Sequence, residues 1–316
     1  MKDPINILLG SDVNYAPYYG VMLTSLFYNN QDCHFDVYML TDKTWTLQET
    51  KNFEKLCGQY DSRFNVFVVN EDKVKDFPQV DHITLPTYYR LQACNILPAS
   101  IHKILYLDGD MLVLGSIQFL WSINLEGYAF AGAEDMDSVC GDCFRRLDYD
   151  SKYGYYNAGV SLYNFDYWRE HNISDKLMHL LSERPDIIKW MDQDAVNALL
   201  HRHRLCIPLR YNFQVNHLST RYWNLYSQEY KNIIEGEAQN AVIVHYNGPI
   251  KPWTNKYFGY PFCRVWRRYN RKSLWNINIY TSWIDCVKYL IKLVLCPSEM
   301  LRRRNAEMIK KYWNYK

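Results

Sequence analysis

At 316 residues the chain has room for one large α/β domain or two ordinary ones, and 48% apolar residues supply a sizeable core. The net charge of +2 is unevenly spread: residues 264–316 hold 13 Lys and Arg against three acids (Asp285, Glu299, Glu307), so the preceding body is acidic. An acidic body would repel nucleic-acid phosphate and no nucleic-acid-binding fold is evident, which excludes that class; a basic tail still suits an anionic surface.

Aromatic residues make up 16% of the chain, with 28 Tyr and 10 Trp. Such rings serve carbohydrate stacking, interfaces and membrane boundaries, or simply an aromatic-rich core. The nine cysteines are odd in number and lack a framework spacing. No secretory signal follows Met1-Lys2-Asp3-Pro4, so reduced thiols in the cytosol are expected. Cys140 and Cys143 form a CxxC with no second pair or His cluster beside it, a weak signal for zinc or redox chemistry.

In chain order, Asn6–Leu9 reads as a buried strand ending in Gly10-Ser11-Asp12, and Pro17 opens a helix. A second strand covers Phe35–Leu40, a helix Thr46–Tyr60, a third strand Asn65–Val69, and another helix Leu85–Leu97. Lys103–Asp108 is a fourth strand whose end carries carboxylates. Further strands are expected at Ala129–Ala133, Ala158–Tyr163 and Ala241–His245, with a helix over Asp194–His201 and Asp192-Gln193 at its mouth. This alternation predicts an α/β fold with a Rossmann-like, mostly parallel sheet flanked by helices. Ligands then gather beyond the carboxyl ends of the strands, where Asp12 and Asp108 fall. No linker or repeat interrupts residues 1–263, which read as one catalytic domain, with 264–316 as a basic aromatic tail.

Asp108 and Asp110 flank Gly109 as the chain leaves a strand, so both carboxylates can reach one cation. Such hard oxygen ligands suit Mg²⁺ or Mn²⁺ better than zinc, and a cation there could neutralise a departing diphosphate. Alone, the pair equally describes a solvated turn. His245 ends an apolar run and could be a third ligand or a hydrogen-bonded structural residue. Gly248 and Lys251 then offer a turn and a cation for phosphate.

Six segments together resemble glycosyltransferase family 8, which includes bacterial lipopolysaccharide galactosyl- and glucosyltransferases and, more distantly, glycogenin. They are Ser11–Tyr15, Thr87–Leu91, Tyr106–Asp110, Tyr156–Val160, Asp192–Asp194 and His245–Trp253, in the family's order. The resemblance, over residues 5 to about 255, implies a GT-A fold and a retaining hexosyltransferase that uses a UDP-sugar with Mn²⁺ (or Mg²⁺) on Asp108, Asp110 and His245. By the same resemblance Gly10, Asp12, Asn14 and Tyr15 contact uridine and ribose, and Gly109, Gly248 and Lys251 belong with the diphosphate. Arg90, Asn157, Ala158, Asp192 and Gln193 form the sugar-binding set, with Asp192 and Gln193 nearest the reacting carbon. An acid near Gly132-Ala133-Glu134-Asp135 is also implied. Asp135 is the choice, and the shifted spacing leaves Asp137 and Glu134 open.

Each of these residues has a plainer reading: a structural ion pair for Arg90, a turn for Asn157, a helix N-cap for Asp192 and Gln193. As a neutral amide Gln193 is a poor nucleophile, which favours front-face attack by the acceptor hydroxyl over a covalent glycosyl-enzyme. Two competing functions remain: a phosphohydrolase with Asp108 as nucleophile, disfavoured by the Asp12 and His245 elements, and a non-catalytic, membrane-associated carbohydrate binder. In the tail, Trp266, Arg267, Arg268, Tyr269, Arg271, Lys272 and Trp275 interleave, and Trp283–Cys296 is apolar but broken by Asp285, Lys288 and Lys292. That run is too short and too charged to span a bilayer. It fits an interfacial helix on the anionic inner face of the cytoplasmic membrane, near a glycan or glycolipid acceptor, or a helical subdomain packed on the core.

Overall fold

A computed structural model describes residues 3–78, 85–254, 262–279 and 283–307; the Lys310-Lys311 end of the tail lies outside the described residues. Ten strands are described: β1 Ile5–Ser11, β2 Phe35–Thr41, β3 Arg63–Val68, β4 Lys103–Leu107, β5 Met111–Val113, β6 Phe130–Glu134, β7 Tyr156–Asn164, β8 Arg204–Cys206, β9 Phe213–Gln214 and β10 Ile243–His245. They belong to two compact units that interleave along the chain. The first gathers the residues up to Ala16, Asn30–Gly109 and Ile117–Ile207; the second gathers Pro17–Asn29, Asp110–Ser116 and the chain from Pro208.

In the first unit a seven-stranded sheet runs in the order β3-β2-β1-β4-β7-β6-β8. β1, β2, β3 and β4 are parallel, and β7 lies antiparallel to both β4 and β6. Strands of a sheet covered on both faces are buried along nearly their whole length rather than at alternate positions, and β1, β4 and β7 are, around the apolar runs Ile7–Leu9 and Ile104–Leu107 of the first two. The strand order reverses between β1 and β4, and at such a switch point the strand ends open a crevice. Asp12 follows the end of β1 and Asp108 the end of β4. The helix Leu47–Gly58 is capped by Thr46, whose hydroxyl accepts from the Glu49 amide at 3.1 Å.

Many of the aromatic residues are core. Tyr88, Tyr106, Tyr156, Tyr163 and Trp168 are buried in one cluster of the first unit with Leu8 and Leu40. No disulfide joins any of the nine cysteines, and Cys143 is buried with Leu147 and Tyr155.

Two expected helices differ. Leu85–Leu97 is not one helix but a turn of α-helix at Pro86–Tyr89, a 3₁₀ turn at Arg90–Gln92 and a last α turn at Ala93–Ile96. Arg90 Nε donates to the Thr87 carbonyl at 3.0 Å, the acceptor that a continuous helix would assign to the Leu91 amide. The helix expected at Asp194–His201 begins earlier, at Met191, and ends at Leu200, so Asp192 and Gln193 sit within its first turn and do not cap it.

The second unit is built on a smaller sheet in the order β5-β10-β9, which the helix Ala16–Tyr28 joins through Ser25 Oγ, 2.9 Å from the Val113 amide. The described part of the tail packs here. In the helix Cys263–Lys272, Trp266 and Tyr269 are buried, and the Tyr269 hydroxyl accepts from Asn29 at 2.7 Å. Glu299 of the helix Pro297–Glu307 accepts from the Thr220 amide and hydroxyl at 2.9 and 2.7 Å and pairs with Arg303 at 2.8 Å. Burial opposes that carboxylate's charge, but the Thr220 hydroxyl and the Arg303 and Lys292 cations outweigh it and hold it down to about 2.

Candidate functional site

Within the first unit the candidate residues converge on one buried network. Arg90, 3% exposed, stands at its centre. Its guanidinium lies 3.8 Å from the centre of the Tyr106 ring, donates to Ala158 O at 2.7 Å and reaches Asp108 Oδ1 at 3.2 Å. Burial opposes its charge, but Asp192, Tyr106 and Asp108 outweigh this and keep the guanidinium further above its ordinary range. Tyr106 also donates its hydroxyl to Asp108 Oδ1 at 2.6 Å, so this carboxylate is held from two sides at the end of β4.

Asp192 is equally buried. Its Oδ1 accepts from the Thr87 hydroxyl at 2.8 Å, while Oδ2 lies 3.1 Å from Arg90 Nε. The Nε proton is directed to the Thr87 carbonyl, so Oδ2 receives the charge of Arg90 and no hydrogen bond. Burial pushes the Asp192 carboxyl up to about 6 against the opposing pull of Arg90 and Thr87.

On the other side of Ala158, Gln193 Oε1 accepts from the Ala158 amide at 3.0 Å and Nε2 reaches Asp135 Oδ2 at 3.3 Å. Asn157 donates to the same oxygen at 2.7 Å. Of the three acids left open by the sequence, Asp135 meets both Asn157 and Gln193. Burial, reinforced by the nearby Asp137 charge, pushes it up to about 6. The chain thus runs Asp108, Arg90, Ala158, Gln193, Asp135, Asn157 by direct hydrogen bonds.

The Gly10–Tyr15 segment has its own local logic. Asp12 Oδ1 accepts from the Tyr15 amide at 2.9 Å, closing a turn after β1, and Asn14 is exposed. A side chain at Gly10 would come to 3.0 Å from Pro86 O, so glycine lets the Thr87 segment approach β1. Gly109, between the two carboxylates, closes the Asn30–Gly109 stretch of this unit.

In the second unit Asp110 is the focus. Its Oδ1 lies 3.3 Å from His245 Nε2, and its Oδ2 contacts Lys251 Nζ, which also donates to Tyr246 O at 2.9 Å. Burial alone would raise the Asp110 carboxyl, yet the charge of Lys251, the largest opposing influence, holds it well below its ordinary value. His245 Nδ1 faces Asn212 Oδ1 at 3.0 Å. That contact places the ring proton on Nδ1 and leaves the Nε2 lone pair toward Asp110. Gly248 has φ +86°, and an added Cβ would meet Asn216 Nδ2 at 3.0 Å. Tyr18 stacks on Trp253 at 4.0 Å, fixing the far end of the loop that carries Lys251.

Sequence reading had not singled out Thr87, Tyr106, Asp194 or Asn212. The first three lie inside quoted segments, so position was visible and role was not. Asn212 carries no signal, because its partner is set by the pairing of β9 with β10, where Gln214 stands opposite His245.

The fold is that of a GT-A protein. It superposes on the galactosyltransferase LgtC in complex with donor and acceptor sugar analogs, with a TM-score of 0.74, 23% identity, and coverage of 89% of this chain and 99% of that one. It also matches the glycosyltransferase GlyE of Streptococcus pneumoniae TIGR4, with a TM-score of 0.66, 20% identity, and coverage of 93% and 64%. Residues 6–257 match Glycosyl transferase family 8, and the chain belongs to that family of glycosyltransferases. Its curated relatives include a lipopolysaccharide 1,2-glucosyltransferase of Escherichia coli K12, 28% identical over 86% of this chain and 79% of the relative. General stress protein A of Bacillus subtilis is 28% identical over 87% and 96%. A lipopolysaccharide 1,3-galactosyltransferase of Salmonella typhimurium is 26% identical over 87% and 80%.

Proposed function

We propose that this enzyme moves a hexose, galactose or glucose, from a UDP-sugar to a hydroxyl of a glycan or glycolipid, with retention of configuration. A divalent cation, Mn²⁺ or Mg²⁺, is held by Asp108, Asp110 and His245 in this reading. The observation that carries it is the meeting of Asp110 Oδ1 and His245 Nε2 at 3.3 Å, with Nδ1 tied to Asn212. Two lone pairs facing each other repel unless a proton or a cation lies between them. Asp108 stands two residues before Asp110, and two carboxylates with one imidazole suit those ions. Bound there, the cation neutralises charge on the departing diphosphate. Relatives named for glucosyl and galactosyl transfer to lipopolysaccharide support the substrate class.

Gly10, Asp12, Asn14 and Tyr15 take the uridine side, Gly109, Gly248 and Lys251 the diphosphate, and Arg90, Asp135, Asn157, Ala158, Asp192 and Gln193 the sugar. Asp192 Oδ2, buried without a hydrogen-bond donor, is an acceptor for a sugar hydroxyl. Gln193 cannot serve as a nucleophile: its amide oxygen is neutral and already accepts from the Ala158 amide. Front-face attack follows. The acceptor oxygen bonds the anomeric carbon as the bond to the diphosphate oxygen breaks, and the hydroxyl proton passes to that departing oxygen. Trapping of a glycosyl adduct on Asp192 would defeat this mechanism.

The tail supports attachment to the anionic inner face of the cytoplasmic membrane. No described helix is long and apolar enough to cross a bilayer. The helix Trp283–Leu295 instead exposes one apolar arc, with Trp283 at 74%, Val294 at 78% and Leu295 at 74%, beside Lys288 and Lys292. Such a helix lies in the plane of an anionic interface. The deciding test of the enzyme is a panel of UDP-hexoses with Mn²⁺, following UDP release with and without chelator. Absence of metal-dependent turnover with every nucleotide sugar overturns the reading.

A further inference from the structure

The second acid of Asp192-Gln193-Asp194 has no part in the network of Arg90 and Gln193. Asp194 is completely buried, and five donors converge on it. Oδ1 accepts from the Tyr155 hydroxyl at 2.7 Å and from Arg146 at 3.0 Å. Oδ2 accepts from Arg146 at 2.7 Å and from the Lys189 and Trp190 amides, each at 2.6 Å. A carboxylate has about four lone-pair sites, so Asp194 has none to spare for a substrate.

Its partners belong to the segments that carry the sugar-site residues. Lys189 and Trp190 directly precede Met191, whose φ of +46° is left-handed backbone that a side chain strains. Asp192 and Gln193 follow at once, so the aim of both side chains depends on holding that strained residue. Arg146 lies between Asp135 and Asn157 in the chain and also donates to Ile187 O. Tyr155 reaches Asp194 through its hydroxyl and accepts from the Asp135 amide at 2.7 Å through its carbonyl. One turn further along the same helix, Asn197 bonds both the amide and the carbonyl of Tyr156, at 2.8 and 2.9 Å. Asp194 and Asn197 thus stitch the helix Met191–Leu200 to the start of β7.

The geometry points to Asp194 as a positioning residue for sugar transfer, acting with Arg146 and Tyr155 to set Asp192 and Gln193 against Asp135 and Asn157. It touches no substrate and forms no bond to the sugar. This inference rests on the sugar site assigned above. It also assigns opposite roles to two acids separated by one residue: Asp192 is left with an unfilled oxygen, and Asp194 is saturated.

The test uses the full chain and two variants of graded severity, Tyr155→Phe and Arg146→Met, with Arg146→Lys as partial rescue. Tyr155→Phe deletes one hydrogen bond to a buried charge, and kcat for transfer falls about tenfold. Arg146→Met removes the bidentate pair, and kcat falls roughly a hundredfold, with Arg146→Lys between it and the unaltered enzyme. In all three the Mn²⁺ concentration for half-maximal activity stays unchanged, which general loss of structure would not allow. Hydrogen exchange of the Lys189–Gln193 amides, read on the same samples, quickens in step with the loss of kcat. Quickened exchange with kcat intact in Tyr155→Phe overturns the inference, as does a glycosyl adduct on Asp194. If the unaltered protein turns over no nucleotide sugar, the functional reading falls and takes the inference with it; an active enzyme with an unimpaired Tyr155→Phe variant removes the inference alone.

Discussion

His245 is fixed by Asn212: Nδ1 lies 3.0 Å from Asn212 Oδ1, which turns Nε2 toward Asp110 Oδ1 at 3.3 Å. Asn212 is fully buried one residue before β9, so its side-chain carbonyl oxygen meets the imidazole away from water. Outer partners of this kind commonly contribute ten- to hundredfold in metal affinity, and Asn212→Leu is expected to lose about that much for Mn²⁺. Asn212→Asp keeps the acceptor and keeps the affinity. Calorimetric titration of the folded variants decides it, and equal affinities in Asn212→Leu and the unaltered chain would sink the idea.

Asp135 and Asp192 carry the pH dependence. Both are raised to about 6, chiefly by burial, from an unfolded-state value near 4. A raised carboxyl contributes stability that is complete below the unfolded value and is lost as pH rises through the folded one. Activity runs the other way, because the charged forms are the acceptors for sugar hydroxyls and for Asn157. We expect kcat/KM for the donor to rise with pH and level off above about 6. At the same time the thermal midpoint should decline between roughly pH 4 and 6 from these two groups. A donor kcat/KM that is flat from pH 5 to 7 would contradict the assignment of both acids.

The parts of this fold legible beforehand were those where one force dominates. β1 and β4 declare themselves because a sheet covered on both faces demands unbroken apolar runs, and the switch point between them places Asp12 and Asp108 at strand ends. Residues 85–97 were not legible as a broken helix. The break comes from a guanidinium drawn inward to Asp192 and Asp108, a tertiary demand that no local propensity records. Asp192 looked like an N-cap for the same reason: the cap position depends on Asp194 folding back onto the Lys189 and Trp190 amides. Of the site, residues inside recognisable segments, such as Asp108, Asp110 and His245, were visible, and Asn212, which lies outside every such segment and is delivered by the pairing of β9 with β10, was not.

Gly248 is required by its backbone. At φ +86° a side chain is strained, and a Cβ would also press on Asn216 Nδ2, which holds the Asn247 carbonyl at 2.9 Å. Gly248→Ala is expected to cost about 1–3 kcal/mol locally and to displace the turn that delivers Lys251. The readout is a higher KM for the nucleotide sugar with little change in Mn²⁺ affinity. A KM like that of the unaltered enzyme would remove this turn from the donor site.

The last prediction concerns the helix Trp283–Leu295. Val287, Leu290 and Ile291 are 41–58% exposed and adjoin Trp283 and Val294 on one arc, with Lys288 and Lys292 on its flank. In water such an arc is a liability, and on an anionic interface it gains about 25 cal/mol per Å² of apolar surface removed from water. Truncation is the wrong test, since Trp266 and Glu299 of the same tail are buried within the second unit and their loss would disturb its packing. Val287→Asp with Ile291→Asp changes only exposed positions. We expect the double variant to lose sedimentation with phosphatidylglycerol vesicles while keeping its thermal midpoint. Lys288→Gln should weaken binding in a salt-dependent way, because its contribution is electrostatic. Undiminished binding of the double aspartate variant would show that this helix is not what meets the lipid.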